Sequence, residues 1–120
     1  MKILLNFSNH PSTQWKEEQL EAAHCFGTVE DLAFPAVSPS MDEEELDELV
    51  EEFVEMIAND FDSSYTCVHI MGEMTFVFRM VFRLKTLGFR CIASTTERIV
   101  QETPDGQKIS SFQFVRFREY

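Results

Sequence analysis

Tyr65-Thr66-Cys67-Val68-His69-Ile70-Met71, followed at once by Gly72, is the stretch on which the fold turns. It is apolar on both faces over one strand's length, as a central strand in a parallel sheet covered on both sides should be. Gly72 supplies the turn. The run from Glu73 to Leu87 then reads as a helix, with Gly88 as its C-terminal cap. Phe89 to Ser94 is the next strand. The helix between them is apolar nearly all round, and only Thr75, Arg79, Arg83 and Thr86 make a polar line. Such a helix is buried on most sides, by its own sheet or by a second subunit. Its Met74, Met80 and phenylalanines read as core rather than as a cofactor box. Their surplus over what one small domain covers points to a dimer seam.

The same alternation extends upstream. Residues 2–8 read as a buried strand, broken by Asn9, His10 and Pro11. Ser12 or Thr13 caps a helix running to about His24, with Trp15, Leu20 and Ala23 inward and Gly27 beyond its end. Val29 to Phe34 is a short second strand, and Pro35 to Pro39 a loop. Ser40 and Glu43 form an S-x-x-E capping box. The helix it opens carries Leu46, Leu49, Val50, Phe53, Val54 and Ile57 as one apolar stripe, with acids on the opposite face. Downstream, Arg98 to Thr103 and Lys108 to Phe117 are strand-like and joined through Pro104-Asp105-Gly106, a turn signal. The expected fold is therefore α/β. It is a single Rossmann-like domain over residues 1–120, ordered β-α-β-α-β-α-β, with a mainly parallel sheet, helices on both faces and a C-terminal β-hairpin.

Composition bounds the function. At 120 residues, 44% hydrophobic and 26% charged, the chain is one globular domain. No stretch reaches the roughly 18 to 20 uninterrupted apolar residues of a membrane span, and the start turns polar too soon for a signal peptide. Three cysteines (Cys25, Cys67 and Cys91) without motif spacing suit a reducing cytoplasm rather than a disulfide scaffold. The net charge of −11 argues against an anionic ligand, but it is uneven. Residues 1–62 carry two basic and sixteen acidic side chains, and residues 63–120 carry eight basic and five acidic ones. The halves thus stand at −14 and +3, and an anion site in the second half survives the global figure because exposed charges are screened beyond about 8–10 Å. The acid run from Asp42 to Glu55 reads as a solvated helix face.

In an open parallel sheet, ligands bind beyond the carboxyl ends of the strands. Three segments are expected to converge there: Asn6-Phe7-Ser8-Asn9-His10, Gly72-Glu73-Met74-Thr75 and Ser94-Thr95-Thr96-Glu97-Arg98. Consecutive hydroxyls followed by Arg98 suit phosphate or ribose oxygens, with the guanidinium taking the charge. Equally, the hydroxyls satisfy their own turn and Arg98 forms a surface ion pair. Gly72 before a helix presents free N–H groups to an anion, whereas Glu73 fits a ribose hydroxyl or a base amino group, or simply the helix N-terminus. His10, His24 and His69 lack metal-ligand spacing, and no C-x-x-C, P-loop, G-x-G-x-x-G or G-x-S-x-G is present.

At these segments the chain resembles small standalone CRISPR-associated proteins, the Csx-type ring nucleases related to CARF domains. Leu5-Asn6-Phe7-Ser8-Asn9-His10 is similar to the family's hydrophobic-Phe-Ser-His start, with Asn9 as an extra residue. Met71-Gly72-Glu73-Met74-Thr75 resembles its Gly-acid turn, with Glu for Asp. Ala93-Ser94-Thr95-Thr96-Glu97-Arg98 resembles its Ala-Thr-Thr-x-Arg element, and residues 114–120 its closing Val-Arg-Phe-Arg-x-Tyr. The resemblance implies a CARF-like, cytoplasmic homodimer in antiviral defence. It would bind a cyclic oligoadenylate, foremost the tetra-adenylate, across its two-fold axis. It would cut the ring without metal or cofactor, by ribose 2′-OH attack on the adjacent phosphate, switching off type III CRISPR signalling. It further implies His10 and Arg98 as catalytic residues, the first as general acid or base and the second stabilising the transition state. Ser8, Gly72, Glu73, Thr95 and Thr96 would bind the ligand. Two other readings stand beside it: a module that binds or sequesters a cyclic nucleotide without turnover, and an acidic interaction protein docking through Asp42–Glu55. Neither a membrane nor a long nucleic acid is an expected partner, since the basic half lacks a dense Lys/Arg patch.

Overall fold

A computed structural model describes residues 1–120. The strands are β1 (Ile3–Ser8), β2 (Thr28–Asp31), β3 (Thr66–Met71), β4 (Arg90–Glu102) and β5 (Lys108–Glu119). The helices are α1 (Glu17–His24), α2 (Glu43–Asp60) and α3 (Met74–Thr86), with a 3₁₀ turn at Ser12–Gln14. One sheet has the order β2-β1-β3-β4-β5. The first four strands are parallel and β5 runs antiparallel to β4. The expected α/β class and mainly parallel sheet hold. No helix is long and apolar enough to cross a membrane.

Alternation along the central strands divides the core in two, because successive side chains leave opposite faces. Leu5, Phe7, Val68 and Ile70 point to the face covered by α2 and α3, within a cluster of 15 buried apolar residues. Leu4, Cys67 and Ile92 point to the other face and pack with Trp15, Ala23 of α1 and Phe117. Helices thus cover both faces. The polar line of α3 lies against α2, where Arg79 pairs with Asp47 and Arg83 with Glu51.

Four expectations change, each for a local reason. The first helix does not run from Ser12 or Thr13, because Trp15 and Lys16 are extended (ψ 140° and 165°) and α1 starts at Glu17. Trp15 leaves the helical path to bury its ring edge-on against His69, 5.2 Å between centroids. The α2 cap is Asp42 rather than Ser40: its carboxylate accepts from Glu45 N at 2.8 Å, a charge-assisted bond, while the Ser40 hydroxyl pairs with that of Ser38. The second strand stops at Asp31, freeing Phe34 to pack against Phe7 and Phe76 at 5.2 and 5.3 Å. Strand four does not end at Ser94 before a separate hairpin. The two are one strand, because residues 92–102 pair continuously with β5, with one bulge at Thr95/Thr96. The turn around Pro104-Asp105-Gly106 is where the sequence puts it, with Gly106 at φ +84°. Beyond Ile92, β4 has no partner other than β5, so the pair projects as a two-stranded arm. The radius of gyration, 16.1 Å, accordingly exceeds the roughly 14 Å of a compact domain of this length.

Candidate functional site

The chain leaves β1 for β2 on one side and later returns to β3 on the other. The direction reverses between β1 and β3, and at such a switch the carboxyl ends leave a crevice. Ser8 pairs with Met71 there, beside Gly72. Gly72 is required by space: a Cβ would lie 2.3 Å from the Phe34 ring. A cavity of about 620 Å³, lined by Asn6, Ser8, Asn9, Asp31 and Phe34 among others, opens at the ends of β1 and β2.

Behind it a chain of hydrogen bonds crosses four strands. Asn6 Nδ2 donates to the His10 carbonyl at 2.9 Å and to Asp31 Oδ1 at 2.8 Å. With both acceptors at the nitrogen end, Asn6 Oδ1 is the atom facing His69 and Ser8. It accepts from the Ser8 hydroxyl at 2.7 Å and from His69 Nδ1 at 2.9 Å. An amide oxygen cannot donate, so His69 carries its proton on Nδ1 and Nε2 is left as an acceptor. Ser94 Oγ lies 2.7 Å from that Nε2 and donates to it, while accepting from Gln19 Nε2 at 3.1 Å. Every donor in the chain meets an acceptor, as burial demands.

The electrostatics agree. Burial, reinforced by His10, pushes the His69 imidazole down to about 4, so the ring is neutral at physiological pH. Partial burial pushes Asp31 up, but bonds from the Ser12 hydroxyl, Asn6 and Ser12 N outweigh it and hold its carboxyl below the usual range. Asp31 is thus the anion that anchors one end of the chain, and Ser94 is the partly exposed hydroxyl at the other.

Around Ser94 the sheet splits. Pairing of β3 with β4 ends at His69–Ile92. The Ile70 carbonyl is taken by the Tyr120 hydroxyl at 2.6 Å, and Ser94 N–H reaches only the Met71 thioether at 3.2 Å, a weak acceptor.

The residues singled out from the sequence divide accordingly. Ser8 is buried in the cluster, Gly72 borders it, and His10 joins it through main-chain atoms, with its side chain exposed at the rim. Glu73 is exposed and caps α3, accepting from Thr75 N, the Thr75 hydroxyl and Phe76 N. The Thr75 hydroxyl, followed by the two amides, holds its carboxyl below the usual range. Thr95 bonds the Arg116 main chain across the bulge. Thr96 and Arg98 stand exposed on the arm, and Arg98 donates to Ser110 Oγ at 3.0 Å. Four residues of extended strand place Arg98 about 13 Å beyond Ser94, outside the cluster in one copy of the chain. The second half's basic surplus is also partly engaged: Arg79 and Arg83 pair with α2 acids, Arg90 with Glu119. Lys85 donates to the Tyr120 carbonyl, and the other four, Arg98, Lys108, Arg116 and Arg118, have no ion-pair partner and lie on the arm. No three His, Cys, Asp or Glu side chains come together as a metal site would need.

Asp31, His69 and Gln19 were not among the residues singled out for the site. The available signal was Asn6 and His69 inside otherwise apolar strands, since a polar side chain there must find a buried partner.

A family model described as the uncharacterized protein MJ1673 family matches residues 2–118, so the chain belongs to that family. Comparison with curated proteins gives no match, and comparison with solved structures gives none.

Proposed function

We propose that this MJ1673-family protein is a metal-independent ring nuclease: a homodimer that binds a cyclic oligoadenylate and opens it, switching off type III CRISPR signalling. The ribose 2′-oxygen attacks the adjacent phosphorus, the bond to the 5′-oxygen breaks, and a cyclic phosphate and a 5′-hydroxyl remain. Such chemistry asks the protein to align the nucleotide and to manage protons and charge. The observation that carries the reading is the polar chain of Asn6, Ser8, His69 and Ser94, which starts beside the cavity at the ends of β1 and β2 and ends at Ser94, where β3 and β4 part. It offers the neutral Ser94 hydroxyl, backed by the buried His69 imidazole, where a phosphate-linked ring would meet the strand ends.

The α3 surface supports the two-copy form. Met74, Phe78 and Phe82 recur every four residues and are 80%, 71% and 66% exposed. With Gly72 and Tyr120 they line an apolar groove of about 580 Å³. Parallel pairing along α3 brings the two Gly72 turns to the same end of the seam, where one ligand meets both copies. Arg98 and Lys108, out along the arm from their own cluster, then have a second cluster to reach.

Incubation with cyclic tetra-adenylate and cyclic hexa-adenylate in chelator tests the reading. The expected result is a linear product ending in a cyclic phosphate. The absence of both binding and cleavage, for both rings, would overturn it. Binding without turnover is favoured by one observation, the use of the Glu73 carboxylate as a helix cap, and tight binding with an intact ring would decide for it.

A further inference from the structure

We infer that Ser94, His69 and Asn6 form the proton-accepting relay of this site, with Ser94 as the catalytic group that touches the reacting hydroxyl and His69 and Asn6 as positioning residues behind it. The inference rests on the ring-nuclease reading and names the base that reading lacks, a role the sequence resemblance gives to His10.

The geometry is that of a hydroxyl, a base and an orienting group in line. Ser94 Oγ to His69 Nε2 is 2.7 Å, and His69 Nδ1 to Asn6 Oδ1 is 2.9 Å. Both lie within the reach expected of an activated hydroxyl and its oriented base. The direction of proton flow is fixed by chemistry. Asn6 Oδ1 has no proton to give, so Nδ1–H is locked and Nε2 is the ring's only acceptor. Asn6 is itself locked, because its amide hydrogens go to Asp31 and the His10 carbonyl. Access follows the same order: His69 is 2% exposed and Asn6 1%, whereas Ser94 is partly exposed where β3 and β4 part.

The cost of the arrangement argues for a use. A buried imidazole and amide need full pairing to break even, and apolar side chains would fill the same space without that demand. Only a chain with an open end gains from it. The open end is the Ser94 hydroxyl, with the Ser94 N–H beside it held by a thioether alone and available to a phosphate oxygen.

The step balances. The 2′-hydroxyl proton passes to Ser94 Oγ as the Ser94 proton passes to His69 Nε2. The 2′-oxygen forms its bond to phosphorus, the bond from phosphorus to the 5′-oxygen breaks, and that oxygen takes a proton from water. The imidazolium returns its proton through Ser94 to the hydroxide which that water leaves. The groups facing His69 are Asn6 from β1, Ser94 from β4, Trp15 and Phe117 against its ring faces and edges, and His10 through space. Because burial holds the imidazole down to about 4, the acid limb of the cleavage rate belongs near pH 4. An imidazole base of ordinary pKa would put it near about 6.5.

Single-turnover cleavage of cyclic tetra-adenylate, with binding measured separately, tests the relay. Ser94→Ala is expected to lower the rate about 100-fold or more, the usual range for proton transfer, with the ligand still bound. Ser94→Thr, which keeps a hydroxyl, is expected to recover most of it. The parent's acid limb is expected near pH 4, and ¹⁵N shifts of His69 are expected to show the Nδ1–H tautomer. A Ser94→Ala protein that cleaves at the parent rate overturns the relay and leaves the ring-nuclease reading standing. So does an acid limb near 6.5 or an Nε2–H tautomer. A parent that neither binds nor cleaves overturns both.

Discussion

The two faces of the sheet are built on different principles. Under α2 and α3, fifteen buried apolar residues form one cluster, with Phe7, Phe34, Phe53 and Phe76 in mutual ring contact. Under α1 only six apolar residues cluster, and Asn6 and His69 on the same strands are buried with them. The first face can lower its free energy by packing alone. The second gives up apolar burial to hold a hydrogen-bonded line in register, and that line ends at the carboxyl edge of the sheet. A small domain keeps so polar an interior on one side because the other supplies the stability.

The largest effect should come from breaking the apolar face. Phe76→Ala removes a ring with no exposure at the centre of the cluster and is expected to cost about 3–5 kcal/mol, read as a drop in the urea midpoint. An effect below about 1 kcal/mol would mean that the aromatic cluster does not carry the fold.

Next comes pH, which acts on the polar face. His69 titrates near 4 when folded and near 6.5 when unfolded. Its folded pKa is depressed, so the unfolded chain binds the extra proton first as pH falls. The His69 contribution should be complete above about pH 6.5 and be lost between there and about 4, by up to ~3 kcal/mol. His69→Gln should flatten that part of the curve, and an unchanged slope would assign it to other groups.

Asn6→Ala sharpens the comparison further. It strands His69 Nδ1–H and one Asp31 lone pair, at about 1–3 kcal/mol. A larger loss than for Phe76→Ala would reverse the ranking of the two faces. The smallest effect is expected outside both. Phe78→Glu on the exposed side of α3 should leave monomer stability within about 0.5 kcal/mol while weakening self-association, measured by sedimentation. Unaltered sedimentation would remove that stripe from the proposed dimer interface.

Much of this was legible along the chain. Residues 65–71, with apolar side chains on both faces, read as a central strand, and Gly72 with the α3 pattern set the following crossover. The acid-opposed stripe of α2 was equally plain. What failed depended on partners far away in sequence. Trp15 leaves its helix because His69 and Phe117 offer a better contact. β4 runs on past Ser94 because β5 is there to pair with it, and that continuity carries Arg98 out along the arm. The site was half visible. Ser8 and Gly72 fell where expected, but the links from Asp31 through Asn6 to His69 and Ser94 join four strands whose neighbours no local pattern specifies.

The arm has one more consequence. Past Ile92 each of its strands has a neighbour on one side only, so two lengths of main-chain N–H and C=O face water along a ribbon that also shows Val100, Ile109, Phe112 and Val115. Bare edges of this kind invite strands from other molecules to add on. The net charge of −11 sets copies of the protein against one another at long range, while the bulge at Thr95/Thr96 and the edge cations Lys108, Arg116 and Arg118 spoil a flat seam at short range. The acidic surplus therefore has a colloidal role: it opposes edge-to-edge addition of copies along the ribbon.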